Sequence, residues 1–290
     1  MPPRGVTDAG LVVELAAWFG VSARDLPWRR TRDPWAILVS ELMLQQTGVT
    51  RVEPRFAAFL DRFPTPAACA AVPAGDVVEE WQGLGYNRRA VNLHRCAVAV
   101  VADHAGALPT TLEGLLALPG VGPYTARAVL AFAHEQPVAC MDVNVTRALS
   151  RLVGRPVDQA TADALAVIAD GHAPGGAWAW NQAVMELGAT MCRPRPACDR
   201  CPVAARCTWR GSGAPDPWVR QRPQSRFEGS DRQGRGRLVD ALRAGAVAAG
   251  DVPAAMGWPD DVDRATRVAA TLVADGLAVV DPTTGTWHLP

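Results

Sequence analysis

The chain contains no lysine: all 29 of its basic residues are arginine. Whatever the cause, the chemical consequence is firm. No lysine amine is available to attack a carbonyl carbon, so Schiff-base chemistry on a lysine is excluded. Long apolar runs are missing as well, and none approaches the ~20 residues of a membrane span. Residues 1–20 carry Asp8 and Glu14 within a periodic apolar pattern, which does not resemble a signal peptide. The sustained two-residue alternation that marks strands is scarce before residue 277. With 290 residues and 49% hydrophobic content, the chain is long enough for two domains and a small third. The expectation is a soluble cytoplasmic protein without a membrane partner.

Net charge is also absent, 29 acidic residues balancing the 29 arginines. The balance hides an asymmetry. Residues 228–290 hold six Arg against nine Asp and Glu, so residues 1–227 are slightly basic, with 23 against 20. This alone does not announce nucleic-acid binding.

Cysteine, by contrast, is concentrated. Four of seven cysteines, Cys192, Cys198, Cys201 and Cys207, fall within sixteen residues at gaps of five, two and five. Thiolates so close together converge on one soft metal centre, and four of them suit zinc or an iron–sulfur cluster. A zinc ribbon needs two pairs with a long stretch between them; here one compact loop closes. Disulfides are the poorer alternative, because Cys-x-x-Cys in a proline-punctuated loop has unsuitable geometry. The odd total fits a reducing compartment.

Most of the chain reads as helices separated by Pro or Gly. Asp33 is placed to cap a helix that has Pro34 at its first position and runs to Thr47. Further helices are expected near 50–62, 66–71, 74–81, 88–105, 111–117, 123–134, 144–153, 159–171 and 178–189. Residues 211–227 have linker composition. After them come helices near 235–245 and 260–275 and a hairpin over 277–289, which together suggest a small winged-helix unit.

Two constellations carry chemistry. Gly120 and Gly122 bracket a tight turn between helices. Such glycines let backbone approach a ligand, and the N–H groups of the following helix suit an anion such as a DNA phosphate. A plain helix–helix turn would use the same residues. The second constellation is a pair of carboxylates. Asp142 precedes a helix whose positive end favours an anion, which suits stabilisation of, or attack on, an oxocarbenium-like sugar. Glu41 sits mid-helix among Leu38, Val39, Leu42 and Leu44. If buried, its carboxyl would resist ionisation and suit a proton donor. One charged and one protonatable carboxylate is the arrangement of glycosidic cleavage, although an N-cap aspartate and a surface glutamate look the same in sequence.

From about Leu26 to Cys207 the chain resembles the helix-hairpin-helix DNA glycosylase superfamily in its iron–sulfur branch, which holds endonuclease III and the MutY adenine glycosylases. Ser40 to Thr47, Trp81 to Tyr86, Leu118 to Thr125, Met141 to Val145 and the cysteine loop stand in the family's order. The Met43-Leu-Gln-Gln-Thr47 stretch is closer to MutY. The resemblance implies an all-α fold of two helical domains around a DNA-binding cleft. Residues 28–137 would be a six-helix barrel carrying the helix-hairpin-helix. Residues 1–27 and 138–210 would form the cluster domain, followed by the linker and the tail, 228–290. It further implies one 4Fe–4S cluster on the four cysteines, Glu41 as proton donor to the adenine, Asp142 as the transition-state carboxylate and Asn144 as its partner. Gln45, Gln46 and Tyr86 would enter the duplex around the lesion pair. Gly120, Gly122 and Thr125 would meet DNA, and Arg88 and Arg89 would reach phosphate. Tyr124 stands where endonuclease III has its Schiff-base lysine, which implies a monofunctional enzyme without lyase activity.

The chain departs from the family in three places. The first cysteine gap is five residues rather than six, Asn87 replaces a second tyrosine, and 63 residues after the linker are too few for the Nudix-like reader of 8-oxoguanine. The expected function is hydrolysis of the glycosidic bond of adenine opposite guanine or 8-oxoguanine, in base excision repair, by a monomeric nucleoid-associated bacterial enzyme acting on double-stranded DNA. The alternatives are a glycosylase for thymine or uracil opposite guanine, and a non-catalytic iron–sulfur DNA-binding protein. Opposite-base discrimination is expected from Gln45, Gln46 and Tyr86. The acidic tail is a poor candidate for strong phosphate contact, although Arg232, Arg235 and Arg237 could touch DNA, and discrimination of 8-oxoguanine from guanine is expected to be weaker than the family norm.

Overall fold

A computed structural model describes residues 9–219 and 225–290. Residues 1–8, with Asp8, and residues 220–224 of the expected linker lie outside them. The described residues fall into two units that interleave in sequence. One comprises the described residues up to Leu38, Thr110–Leu116 and Gly122 onward into the linker; the other comprises Val39–Pro109, Ala117–Val121 and the residues from 225 to the end.

The first unit packs the helices Ala9–Ser22, Val143–Val153, Gln159–His172 and Gly176–Thr190 around Leu11, Leu15, Leu149, Leu152, Leu165, Trp180 and Leu187. Local sequence sets their ends. Asp142 and Asp158 cap two N-termini by accepting from Val145 N–H and Thr161 N–H. Gly154, left-handed at φ 78°, stops the Val143–Val153 helix. Glycine is also what permits helix contact at Gly188, where a Cβ would lie 2.7 Å from the Asn144 carbonyl oxygen.

An ion cluster ties the N-terminal segment to this core. The fully buried Glu186 accepts from Arg24 at 2.7 and 2.9 Å and from Arg29 at 2.8 Å. Arg29 also donates to Gln182 at 2.8 Å. Burial alone would raise the Glu186 pKa, but the two guanidinium groups hold it below the ordinary carboxylate range.

The second unit is built on Val49–Arg62, Pro66–Ala70, Ala74–Glu80 and Arg88–Asp103. Phe59 sits at its centre, edge-on to Phe63 at 5.0 Å and to Trp81 at 6.0 Å between ring centroids. The tail belongs to this unit. It forms Asp231–Ala244, Val252–Met256, Val262–Asp275 and an antiparallel pair with Val279 opposite His288 and Val280 opposite Trp287. The first tail helix begins four residues before the expected 235 because Ser230 accepts from Gln233 N–H and starts it early. Gly234 within it is a packing requirement: a Cβ there would meet the Trp258 ring at 2.2 Å. The all-α expectation holds, and the tail has the expected helices and hairpin with one short helix added between them.

Glu186→Gln should lower stability by about 3 kcal/mol, the low end for a broken buried pair because Arg24 keeps solvent access. The native carboxyl is held low, so its contribution is complete above the unfolded value of about 4.3. It is lost as pH falls through the depressed folded value. Urea unfolding between neutral and acid pH should therefore show a steeper acid loss in the wild type than in the variant.

Candidate active site

Glu41 lies on the helix Pro34–Leu44. Asp33 caps that helix as expected, its carboxylate accepting from Trp35 N–H at 3.2 Å and Ala36 N–H at 3.3 Å. Glu41 is 6% exposed beside Leu38 and Leu42, so the burial its expected role required is present.

The helix does not reach Thr47. It ends at Leu44, and Arg89 is the reason. This guanidinium, expected at a phosphate, is instead buried. It donates to the carbonyls of Leu42, Met43 and Gln45 at 2.7, 2.8 and 2.6 Å, which takes up carbonyls of the last helical turn. On its other side it donates to Gly85 O at 2.8 Å, Leu84 O at 3.2 Å and Thr47 Oγ1 at 3.0 Å. Thr47 itself donates to Leu84 O at 2.9 Å. Burial pulls the Arg89 pKa down to about 10, which leaves it charged at neutral pH.

The stretch Gln45–Thr47 and the turn Gly83–Tyr86 are thereby stapled together, with Gln45, Gln46, Tyr86 and Arg88 on the wall of one cavity. Gln46 and Tyr86 both adopt left-handed backbone, at φ 56° and 47°. Each such conformation costs a non-glycine residue about 1–2 kcal/mol. Strain at the two residues expected to enter the duplex favours a functional reading of both.

In the hairpin motif, Gly120 has φ 76°, and a Cβ on it would lie 2.5 Å from the Asn92 Cβ. Gly122 begins the helix Pro123–Phe132 without any side-chain cap, and the space beside it is open. The positive end of this helix faces that open space, a setting that suits an anion. Thr125, expected to meet DNA, is buried as a whole residue, at 2% exposed. Tyr124 is half-buried in the same turn.

Asp142 ends an extended segment pinned by Asn181, whose side chain accepts from Cys140 N–H and donates to Val138 O, both at 2.9 Å. Its carboxylate accepts from Val145 N–H at 2.7 Å and from Asn144 Nδ2 at 3.0 Å. Asn144 Oδ1 in turn accepts from Arg147 at 2.8 Å. Arg147 is buried and donates onward to Cys192 O at 2.7 Å and Gly188 O at 2.8 Å. A continuous relay thus runs from the candidate catalytic carboxylate to the cysteine loop.

Cys192, Cys198, Cys201 and Cys207 wall one small cavity. Arg151, 1% exposed, lies against it. It donates to Cys192 Sγ at 3.5 Å and Arg193 O at 2.7 Å, and pairs with Asp216 at 2.6 Å. Burial raises the Cys192 pKa, and Arg151 and Arg147 draw it back down. Burial also raises Cys201 and Cys207. Among the described residues, no three His, Cys, Asp or Glu side chains gather around a position for a single metal ion. Sequence reading passed over Arg147 and Arg151. The available signal was two arginines one turn apart on a helix otherwise carrying Val145, Leu149 and Leu152.

A family model for HhH-GPD superfamily base excision DNA repair proteins matches residues 39–167. The adenine DNA glycosylase of Mycolicibacterium smegmatis is 42% identical over 273 residues, covering 91% of this chain and 91% of that protein. The adenine DNA glycosylase of Mycobacterium tuberculosis is 41% identical over 297 residues, covering 99% of this chain and 95% of that protein. Among solved structures, a thermostable thymine-DNA glycosylase aligns with a TM-score of 0.63 at 28% identity, over 69% of this chain and 95% of that one.

Gly120→Ala should destabilise the protein by about 1–3 kcal/mol, through overpacking against Asn92 and an unfavourable φ together. Gly122→Ala should cost well under about 1 kcal/mol. Equilibrium unfolding of the two variants side by side measures the difference.

Proposed function

The chain belongs to the HhH-GPD superfamily of base excision DNA repair proteins, and to the adenine DNA glycosylases within it; on that premise it hydrolyses the N-glycosidic bond of adenine in DNA, and we propose that this adenine stands opposite guanine or 8-oxoguanine. The observation that carries the mechanism is the setting of Asp142. Its carboxylate sits at a helix N-terminus, held by one backbone and one side-chain donor. It is fixed in place before any substrate arrives. Positive charge developing on the sugar as the glycosidic bond breaks meets a carboxylate that need not reorganise. Glu41, on a buried helical turn, donates the proton that lets adenine leave as a neutral base. Water completes the hydrolysis.

Tyr124 occupies the hairpin position from which a lysine would form an imine. A phenol cannot do so, and the chain has no lysine. The enzyme is therefore monofunctional and leaves an abasic site. Gln45, Gln46 and Tyr86 enter the stack around the extruded base, and the glycine turn Gly120–Gly122 meets a backbone phosphate.

The cysteine loop fits a 4Fe–4S cluster rather than a single zinc. Four thiolates from one compact loop would suit such a cluster. Four cysteines on one cavity, flanked by the buried Arg147 and Arg151, have that character. When bound, the cluster supplies four iron–thiolate bonds that cross-link the loop, together with negative charge that the two arginines offset.

Asp142→Asn and Glu41→Gln should each slow single-turnover adenine release by about 10²–10⁴-fold while duplex binding persists. Wild-type turnover in either variant would remove that residue from the mechanism. A panel of duplexes carrying adenine, thymine or uracil opposite guanine or 8-oxoguanine, at fixed salt, tests the substrate assignment. Adenine should be released and the pyrimidines retained. Product strands should break only after alkali or heat, and borohydride should trap no covalent complex. Protein prepared anaerobically should contain about four irons per chain; stoichiometric zinc would overturn the cluster.

A further inference from the structure

The cavity that gathers Gln45, Gln46 and Tyr86 measures about 730 Å³ and has a second wall made by the tail. Sequence composition pointed away from this. The tail is acidic overall, yet the face it presents here carries Arg232 and Arg235 of the helix Asp231–Ala244. Net charge misleads because acids of the tail are already engaged. Asp231 pairs with Arg264 at 2.7 Å and Arg267 at 3.5 Å, and Asp275 joins Arg235 at 2.5 Å to Arg88 at 3.3 Å.

The tail is firmly anchored to this wall. Arg243 donates to Val78 O at 2.7 Å and to Asn87 Oδ1 at 3.1 Å, and Gly75 N–H donates to Pro290 O at 2.7 Å. From that anchored position Arg232 reaches the Tyr86 hydroxyl at 3.1 Å, and its other amino group donates to Ser225 O at 2.7 Å. Tyr86 holds a left-handed backbone and is 42% exposed, and its far end is tied to the tail. Phe227 adds a second exposed aromatic face to the cavity. A ligand that offers a flat base and a phosphate matches a cavity of aromatic faces and guanidinium groups.

We propose that Arg232 is a positioning residue: by fixing the Tyr86 ring from the tail, it sets the discrimination between bases opposite the excised adenine. This rests on the glycosylase reading above and deepens it. It also revises the expectation that discrimination comes mainly from Gln45, Gln46 and Tyr86 without the tail. Arg232 sets the angle of a stacking surface, so it acts on the choice between opposite bases rather than on the chemical step at the adenine.

The test compares the wild type, Arg232→Ala, Tyr86→Phe and the double variant. Single-turnover adenine release is measured opposite 8-oxoguanine and opposite guanine at fixed salt. Affinity is measured by fluorescence anisotropy on the same two duplexes, with a non-cleavable abasic analogue in place of the adenosine. Losing one hydrogen bond to the reading residue should lower the ratio between the two duplexes by about 3–10-fold, in rate or in affinity. Tyr86→Phe keeps the ring and removes only the hydroxyl, so it should reproduce the change. The double variant should add nothing further, because both substitutions break the same bond. Arg232→Lys should restore part of the ratio. An unchanged ratio in Arg232→Ala, with both rates or both affinities reduced alike, overturns the proposal, as does simple additivity in the double variant. If Arg232→Ala does not fold, an unchanged ratio in Tyr86→Phe overturns it instead. Failure of the wild type to release adenine from either duplex would refute the glycosylase reading itself.

Discussion

The guanidinium of Arg89 holds the stretch Gln45–Thr47 and the turn Gly83–Tyr86 in shape. A buried cation is expensive unless every donor finds a partner, and Arg89 finds its partners in carbonyl groups from two separate pieces of backbone. One piece is the end of the Pro34–Leu44 helix, the other the turn that follows Trp81. The same bonds that satisfy the arginine stop the helix early and turn Gln45 and Gln46 out of it. The helix thus keeps Glu41 buried while the residues just beyond it are displayed. A longer helix would have carried the glutamines around with its own periodicity. Arg89 also lies 5.4 Å from the Trp81 ring and 5.6 Å from the Tyr86 ring, so the packed interior and the exposed tyrosine share one charge.

A second chain of polar contacts does comparable work around the other carboxylate. Asp142, Asn144, Arg147 and the Cys192 carbonyl are joined in series. The cysteine loop need not approach the substrate to matter. Whatever holds the loop holds Arg147, and Arg147 orients the asparagine that steadies the aspartate. Close helix contact at Gly188 completes the arrangement, since a side chain there would push away the backbone of Asn144.

Helices were legible in the sequence because their boundaries are written in capping residues and glycines. Asp33, Asp142, Asp158 and Gly154 all act where their residue types predict. The candidate carboxylates were legible because the motifs around them are long and ordered. Arg89 was not, since an arginine in the first turn of a helix reads alike whether solvated or buried, and only the tertiary neighbours decide. Arg147 and Arg151 were missed for the same reason. The total charge of the tail did not reveal where its arginines sit. A sum over 63 residues says nothing about which face of one helix carries Arg232 and Arg235, and that face is the one that meets Tyr86.

Gln46 and Tyr86 both occupy backbone that glycine would adopt without strain. A laboratory search for thermostability would therefore be drawn to glycine at both positions, and each gain in heat resistance would delete a side chain from the reading surface. Proteins usually sit just above the stability that selection demands, so stabilising substitutions are commonly available. Under the proposed function the two torsions are a trade-off preserved in the backbone: robustness was available at these positions, and the side chains proposed to discriminate between bases were kept instead.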